Sequence, residues 1–392
     1  MSETFGQALR RYRMAAGLSQ SELASAAHLG QSDISRYERD RQRPAESTAA
    51  ALAEVTGGGQ WLLRTLGASD PTPVFSGDDA ELAALELARR VEASDVGDST
   101  LQGLEQRFEQ LATAYPACSP NELAPRLHTQ LSYVQQLLDA GRLSLSAHRR
   151  LVQLAGWLCL LAATVHIDRV EHAAASAYLR TAESLAGHAE QAEIRAWCAE
   201  TEAWRQLTSG DAQAALALSQ RAQQLAPKGS SARLQSTAQE GRARARLGDT
   251  SGTYRVLETV HALADGLERR HEPEHHYQYD TGKLAAYTAT TLAWIGDPAA
   301  VEQAAATAER FRPSSGSGWP RRYASAHVDL ALGASKLGEH QQAADALRTA
   351  LDSGVLVPSN YWRAGEVVTA LTQAGVPVAA ELQRSYRRLL SG

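Results

Sequence analysis

Apolar residues recur at intervals of three and four along most of this chain, the spacing that gathers them on one face of an α-helix. From about residue 144 onward such segments are broken by glycine. Gly210-Asp211, Gly248-Asp249, Gly296-Asp297 and Gly338-Glu339 each end one segment and open another, and Gly375 does so without the acid. Glycine relieves the left-handed turn at a helix end, and an acid in the next first turn favours that helix's dipole. The breaks lie 38, 48, 42 and 37 residues apart, so the pattern predicts an array of helical hairpins. After Gly210, Ala215 and Ala222 permit close helix approach and Pro227 stops the second helix; Gly338 repeats the offsets with Ala343, Leu347 and Ala350.

Upstream, Gly67 to Asp78 holds two prolines, two glycines and small polar residues, which predicts a linker. An amphipathic run follows from Asp78 to about Ala93, then a helix from about Leu101 to Ala114. A third helix opens at Ser119-Pro120-Asn121-Glu122, where a capping-box pair meets a proline at the first helical position. Over about 144–390 the hairpin array resembles the tetratricopeptide family, whose ~34-residue units stack into a superhelix with a concave inner groove. The likeness is clear at Gly210 and Gly338 and degenerate at Gly248 (Thr253, Val260) and Gly296 (Val301, Ala308). The plainer alternative is a helical bundle that turns on glycine.

The densest signals lie near the start. Ser19 and Glu22 form a capping box, so a short helix begins there with Leu23, Ala24 and Ala27 on its apolar face. Gly30 supplies a tight turn, after which Ile34 and Tyr37 point inward. Ser32, Ser35, Arg36 and Arg39 then fall on the opposite side, with Gln31 at the exposed tip. Two short helices joined by a tight turn, the second presenting a polar strip, make a helix-turn-helix.

The pattern Leu18-Ser19-Gln20-x-Glu22-Leu23-Ala24, then Ile34-Ser35-x-x-Glu38 and Pro44, is similar to the phage-repressor or Cro-like family of bacterial regulators, also called XRE. The match covers about 4–66, with Phe5–Ala15 as the first helix, 47–55 as the fourth and 60–66 as a fifth. Asp40 departs from it, standing where the family commonly turns on glycine. The resemblance implies roles for single positions. Gln20 bonds a phosphate, and Gln31, Ser32 and Arg36 reach base edges. Asp33 accepts from cytosine or caps its helix, Ser35 shares the outer strip, and Arg39, Arg41 and Arg43 grip phosphates. The plain alternative is an ordinary solvated helix face.

Composition and charge narrow the function. Charged residues make up 21% and aromatic residues 6% of the 392 positions, and alanine, leucine, glutamine and arginine recur, which favours helix over sheet. A net charge of −5 argues against a protein that coats nucleic acid with its whole surface. Residues 1–66, however, carry eight arginines against seven acids, four of those arginines between 36 and 43. With no long apolar run and no export signal at the start, the expected location is the cytoplasm, away from membranes. Cys118, Cys159 and Cys198 form no CxxC pair and read as ordinary thiols. The His271-Glu-Pro-Glu-His275 run fits a zinc-peptidase spelling, but Pro273 would break the helix that the spelling needs. No metal, cofactor or enzymatic activity is expected.

The expectation is thus an all-α chain: a five-helix Cro-like helix-turn-helix domain at 1–66, a linker at 67–78, a helical connector at 79–143 and a tetratricopeptide-like α-solenoid at 144–392. First helices of such units line the inner groove in this family. That makes Tyr277, Tyr279, Asp280, Lys283 and Tyr287, then Trp319, Arg321 and Arg322, then Tyr361, Trp362 and Arg363 candidates to bind a ligand, unless they only fill gaps between helices. The layout resembles peptide-pheromone-responsive regulators and an actinobacterial group of regulators. It implies a homodimer on a double-stranded operator, with the repeats sensing an effector. Peptide receptors of that kind often use groove asparagines, and this chain has only Asn121 and Asn360, so a non-peptide or acidic effector fits as well as a peptide. The alternative is a scaffold at DNA whose repeats dock another protein.

Overall fold

The computed structural model describes residues 4–59, 62, 81, 82, 84–86, 96–139, 143–265, 274–313 and 319–391. The expected linker at 67–78 lies outside them, as do His271 and, apart from Leu62, the segment expected to form a fifth helix. Every regular element among the described residues is helical. The chain divides into two compact units, Met1–Ala84 and Leu85–Gly392.

In the first unit, α1 (Phe5–Ala15), α2 (Gln20–Ala26), α3 (Gln31–Glu38) and α4 (Glu46–Val55) pack around Leu9, Leu23, Ile34, Tyr37, Leu52 and Leu62. Both early helices begin as their sequences require. The Ser19 hydroxyl accepts from the Glu22 amide at 3.2 Å, and Glu22 accepts from the Ser19 amide at 2.7 Å. Asp40 adopts the left-handed conformation, φ 53°, that its glycine-like position demands. Its carboxylate offsets the cost by accepting from the Gly6 amide at 2.9 Å and the Thr4 hydroxyl at 2.6 Å, which ties the α3–α4 turn to the start of α1. Gly6 permits that approach, since a Cβ there would stand 2.4 Å from the Tyr37 carbonyl oxygen.

The second unit begins with α5 (Asp98–Ala114) and α6 (Pro120–Asp139), which pack on α7 (Leu145–Asp168). The segment set apart above as a connector is therefore compact with the first hairpin. Antiparallel partners follow in chain order: α8 (His172–His188), α9 (Ala192–Thr208), α10 (Ala212–Leu225), α11 (Ser231–Arg246), α12 (Thr250–Ala264), α13 (Thr281–Ile295), α14 (Ala299–Arg310), α15 (Pro320–Lys336), α16 (His340–Asp352), α17 (Tyr361–Gln373) and α18 (Ala379–Ser391). The odd-numbered helices from α7 to α17 touch one another in succession and form the inner row, while each even-numbered one packs outside its predecessor. Position in the row explains composition: α7 and α11 are buried nearly all round, whereas α10 buries little beyond Ala215, Ser219 and Ala222.

The hairpin turns follow the glycines. Gly210, Gly248, Gly296, Gly338 and Gly375 all have φ between 67° and 90°, and Ala215, Ala222, Ala343, Leu347 and Ala350 are fully buried where the offsets put them. Two hairpins that no glycine marks turn at Val170 and Glu190, with φ 60° and 56°. One expectation needs correcting. By length and composition α7 is apolar enough to cross a bilayer, although the sequence appeared to lack such a run; most of it is buried inside the second unit.

Candidate nucleic-acid interface and interior cavity

In the first unit Ile34 and Tyr37 bury the inner face of α3, and Gln31, Ser32, Arg36 and Arg39 are exposed on the other side. Ser35 is half-buried at the edge of the strip. Asp33 accepts from the Gly30 amide at 3.1 Å and pairs with Arg36; the guanidinium, then the amide, hold its carboxyl below the usual range. Gln20 does not point freely outward. Its amide donates to Glu38 at 2.7 Å and its carbonyl accepts from Gln31 at 3.4 Å. Glu38, which the sequence reading left without a role, is the hub: Arg13 bonds it at 2.5 and 3.2 Å while also donating to the Leu18 carbonyl at 2.7 Å. One nearly buried carboxylate thus joins α1, α2 and α3 and fixes the tip from which Gln31 projects. Arg39, Arg41 and Arg43 are exposed, and their guanidinium groups make no hydrogen bond among the described residues.

A cavity of about 170 Å³ lies along the inner row of the second unit. Of the residues singled out for a groove, Lys283, Tyr287, Arg321, Arg322 and Arg363 line it. The others stand elsewhere. Tyr277 is buried among Phe108, Trp157 and Trp197, and Tyr279 packs with Leu234, Ala238 and Val260. Asp280 caps α13 by accepting from the Lys283 amide at 2.7 Å. Trp319 occupies the N-cap of α15, Tyr361 packs on the apolar core of the last hairpins, and Trp362 stacks on Trp294 at 5.7 Å. Aromatic character alone did not separate cavity from packing, because large amphipathic rings suit both.

The cavity wall is dominated by charges that sequence reasoning missed. Asp168, at the end of α7, accepts from the Tyr115 and Ser359 hydroxyls at 2.7 Å each and pairs with Arg321. Arg321 also donates to the Tyr115 carbonyl at 2.6 Å. Arg322 pairs with Glu274, and Arg363 with Asp329, Ser325 at 2.8 Å and Asn360 at 2.9 Å. Lys283 has no carboxylate partner among the described residues; its ammonium donates to the backbone carbonyls of His275 at 3.0 Å, Gln278 at 2.6 Å and His276, and burial pulls its pKa down to about 8. Glu200, pushed up to about 7 by burial, accepts from Gln235 at 3.1 Å. Gln235 also donates to the Tyr287 hydroxyl. Gln235, Gln239 and Arg242 fall on one face of α11, a polar strip that its sequence alone does not mark as buried.

His275 and His276 diverge, the first pairing with Glu109 at 3.2 Å and the second packing at a tilt on Tyr115 at 4.3 Å. Among the described residues no three His, Cys, Asp or Glu side chains converge as metal ligands. Burial pushes the thiols of Cys159 and Cys198 up, away from thiolate chemistry.

Comparison with known proteins bears on the first unit. The family described as helix-turn-helix domain matches residues 4–66. Within that match α2 and α3 form a helix-turn-helix. No curated protein matches the chain. Among solved structures, PlcR of Bacillus thuringiensis in complex with the peptide PapR7 and DNA matches at 12% identity, over 67% of this chain and 95% of that one, with a TM-score of 0.26. A score that low leaves the second unit to be read from its own residues.

Proposed function

We propose that this chain is a sequence-specific DNA-binding regulator of transcription that acts as a homodimer and whose second unit senses a small-molecule or peptide effector. The observation that carries the reading is the outward strip of α3, where Gln31, Ser32 and Arg36 are exposed on a helix fixed from below by Ile34 and Tyr37. In the major groove Gln31 pairs with adenine and Arg36 with guanine, Ser32 and Ser35 adapt to either, and Asp33 accepts from cytosine or stays a cap. Arg36 must leave Asp33 to do so. An exposed pair of that kind is screened by solvent and holds weakly, so exchanging it for a bidentate base contact favours DNA. Gln20 bonds a phosphate, and Arg39, Arg41 and Arg43 neutralise further ones, which sets register and makes affinity fall with salt.

A two-fold dimer reads half-sites about one helical turn, ~34 Å, or a multiple apart. The effector acts by binding one shape of the protein more tightly than another. Genome-wide capture of bound duplex, with wild type beside Arg36→Ala, tests the reading. The expected outcome is a two-fold motif that loses its preference at one position per half-site in the variant. A motif unchanged in Arg36→Ala removes Arg36 from base reading, and absence of any enriched motif sinks the proposal.

A further inference from the structure

Among the cavity's ionised groups, three arginines are matched: Arg321 by Asp168, Arg322 by Glu274 and Arg363 by Asp329. Three backbone carbonyls solvate Lys283. Arg242 is different. It is 7% exposed and has no carboxylate within ion-pair distance among the described residues. Its single hydrogen bond runs from Nη1 to Gln239 at 3.1 Å, and its Nε is buried with no acceptor. The rings of Tyr287 and Trp294 lie 4.8 and 5.2 Å from its guanidinium carbon. Those ring contacts supply no hydrogen-bond acceptor, so Nε is left without one beside the cavity. A guanidinium cannot shed its proton to escape burial, so an unmatched one carries a standing desolvation cost that only an anion relieves.

We infer that the cavity binds a small organic carboxylate with a flat ring, its carboxylate on the donor edge of Arg242. Arg242 is the arginine of the wall with no carboxylate within ion-pair distance among the described residues, and the ligand's carboxylate supplies that mate. Trp204, half-buried in the cavity wall, offers a surface on which a ring packs. The Gln235 carbonyl is buried without a donor and suits an N–H or O–H on the ligand. A volume of about 170 Å³ is on the scale of a small ring-bearing acid. This assignment rests on the reading of the second unit as a sensor and names the class of its effector.

The test is a fluorescence titration of the full chain, two of whose seven tryptophans, Trp197 and Trp204, stand in the cavity wall, with benzoate, 4-hydroxybenzoate and indole-3-acetate, each beside its primary amide. At least one acid should bind saturably and its amide about tenfold or more weaker, the loss expected when a charge-assisted bond goes. Arg242→Gln should lose a similar factor, with Arg242→Lys between, and should melt no lower than wild type when empty because it removes an unpaired buried charge. Acids and amides that bind alike, no binding by any of the three acids, or an Arg242→Gln titration matching wild type would overturn the assignment. If Arg242→Gln does not fold, the acid–amide comparison on wild type decides. Duplex capture on the same preparations separates the two ideas. Motif capture without acid binding removes the carboxylate alone, and acid binding without motif capture removes the DNA reading alone.

Discussion

Glu38 and Glu200 are carboxylates of similar burial and opposite situation. Glu38 is held by Arg13 and Gln20, and Glu38→Ala strands both while releasing the tip of α3. Its expected cost is about 2 kcal/mol in the first unit, with Glu38→Gln smaller, measured by denaturant melting of the domain's transition. Glu200 lies in the wall of the cavity with one amide donor and no ion pair. Its folded pKa, about 7, stands above the ordinary 4.5, so the folded state keeps a proton that the unfolded chain has released. Stability should therefore fall as pH rises from about 4.5 to about 7, and Glu200→Gln should flatten that slope, gaining on the order of 3 kcal/mol at pH 8. Lys283 acts in a higher window: its pKa, lowered to about 8 from 10.5, makes stability rise again between those values as the unfolded chain stays protonated longer. Melting temperatures taken across pH 4 to 10 for both proteins check the two slopes. The outward strip of α3 was legible because a short amphipathic helix declares both faces locally. The cavity was half legible: Lys283, Tyr287, Arg321, Arg322 and Arg363 stood out as polar residues on first helices. Asp168, Glu200 and Arg242 did not, since burial of a charge depends on partners from distant helices.

At the scale of elements, hairpins were readable where glycine made the turn and invisible where another residue did. Gly338, with φ 79°, and Val170, with φ 60°, occupy equivalent turns. A side chain in that conformation costs ~1–2 kcal/mol, most for a β-branched one. Gly338→Ala should accordingly destabilise the second unit by about 1 kcal/mol, while Val170→Gly, at an exposed site, should stabilise it by up to about 1 kcal/mol after the unfolded-state entropy of glycine is subtracted. Thermal melting of the two variants should shift in opposite directions. The same reasoning explains why α5 and α6 looked like a separate connector: no glycine-acid break joins them to the array, yet they pack on α7 as the later hairpins pack on one another.

Across the whole molecule, the second unit departs from a simple repeat array in one respect. Asp168 near its start is bonded to Arg321 and Ser359 near its end, and the His276 amide donates to the Ala112 carbonyl at 3.0 Å. Stacked repeats ordinarily touch only their neighbours and fray from the ends. Here Asp168→Ala leaves a buried Arg321 unpaired, at a cost of about 3–5 kcal/mol. Amide exchange should then quicken together in α7, α15 and α17 rather than at one terminus, and confinement of the change to α7 would show that the bonds carry little.

That clasp also has a consequence for synthesis on the ribosome. Joining Asp168 to Arg321 closes a span of 153 residues, an entropic toll of on the order of 4 kcal/mol. The carboxylate at the foot of α7 must wait, solvated, until Arg321 and then Ser359 have left the exit tunnel. Hairpins made early can form in order of birth, but the interior they surround is sealed only by the last of the chain to be born.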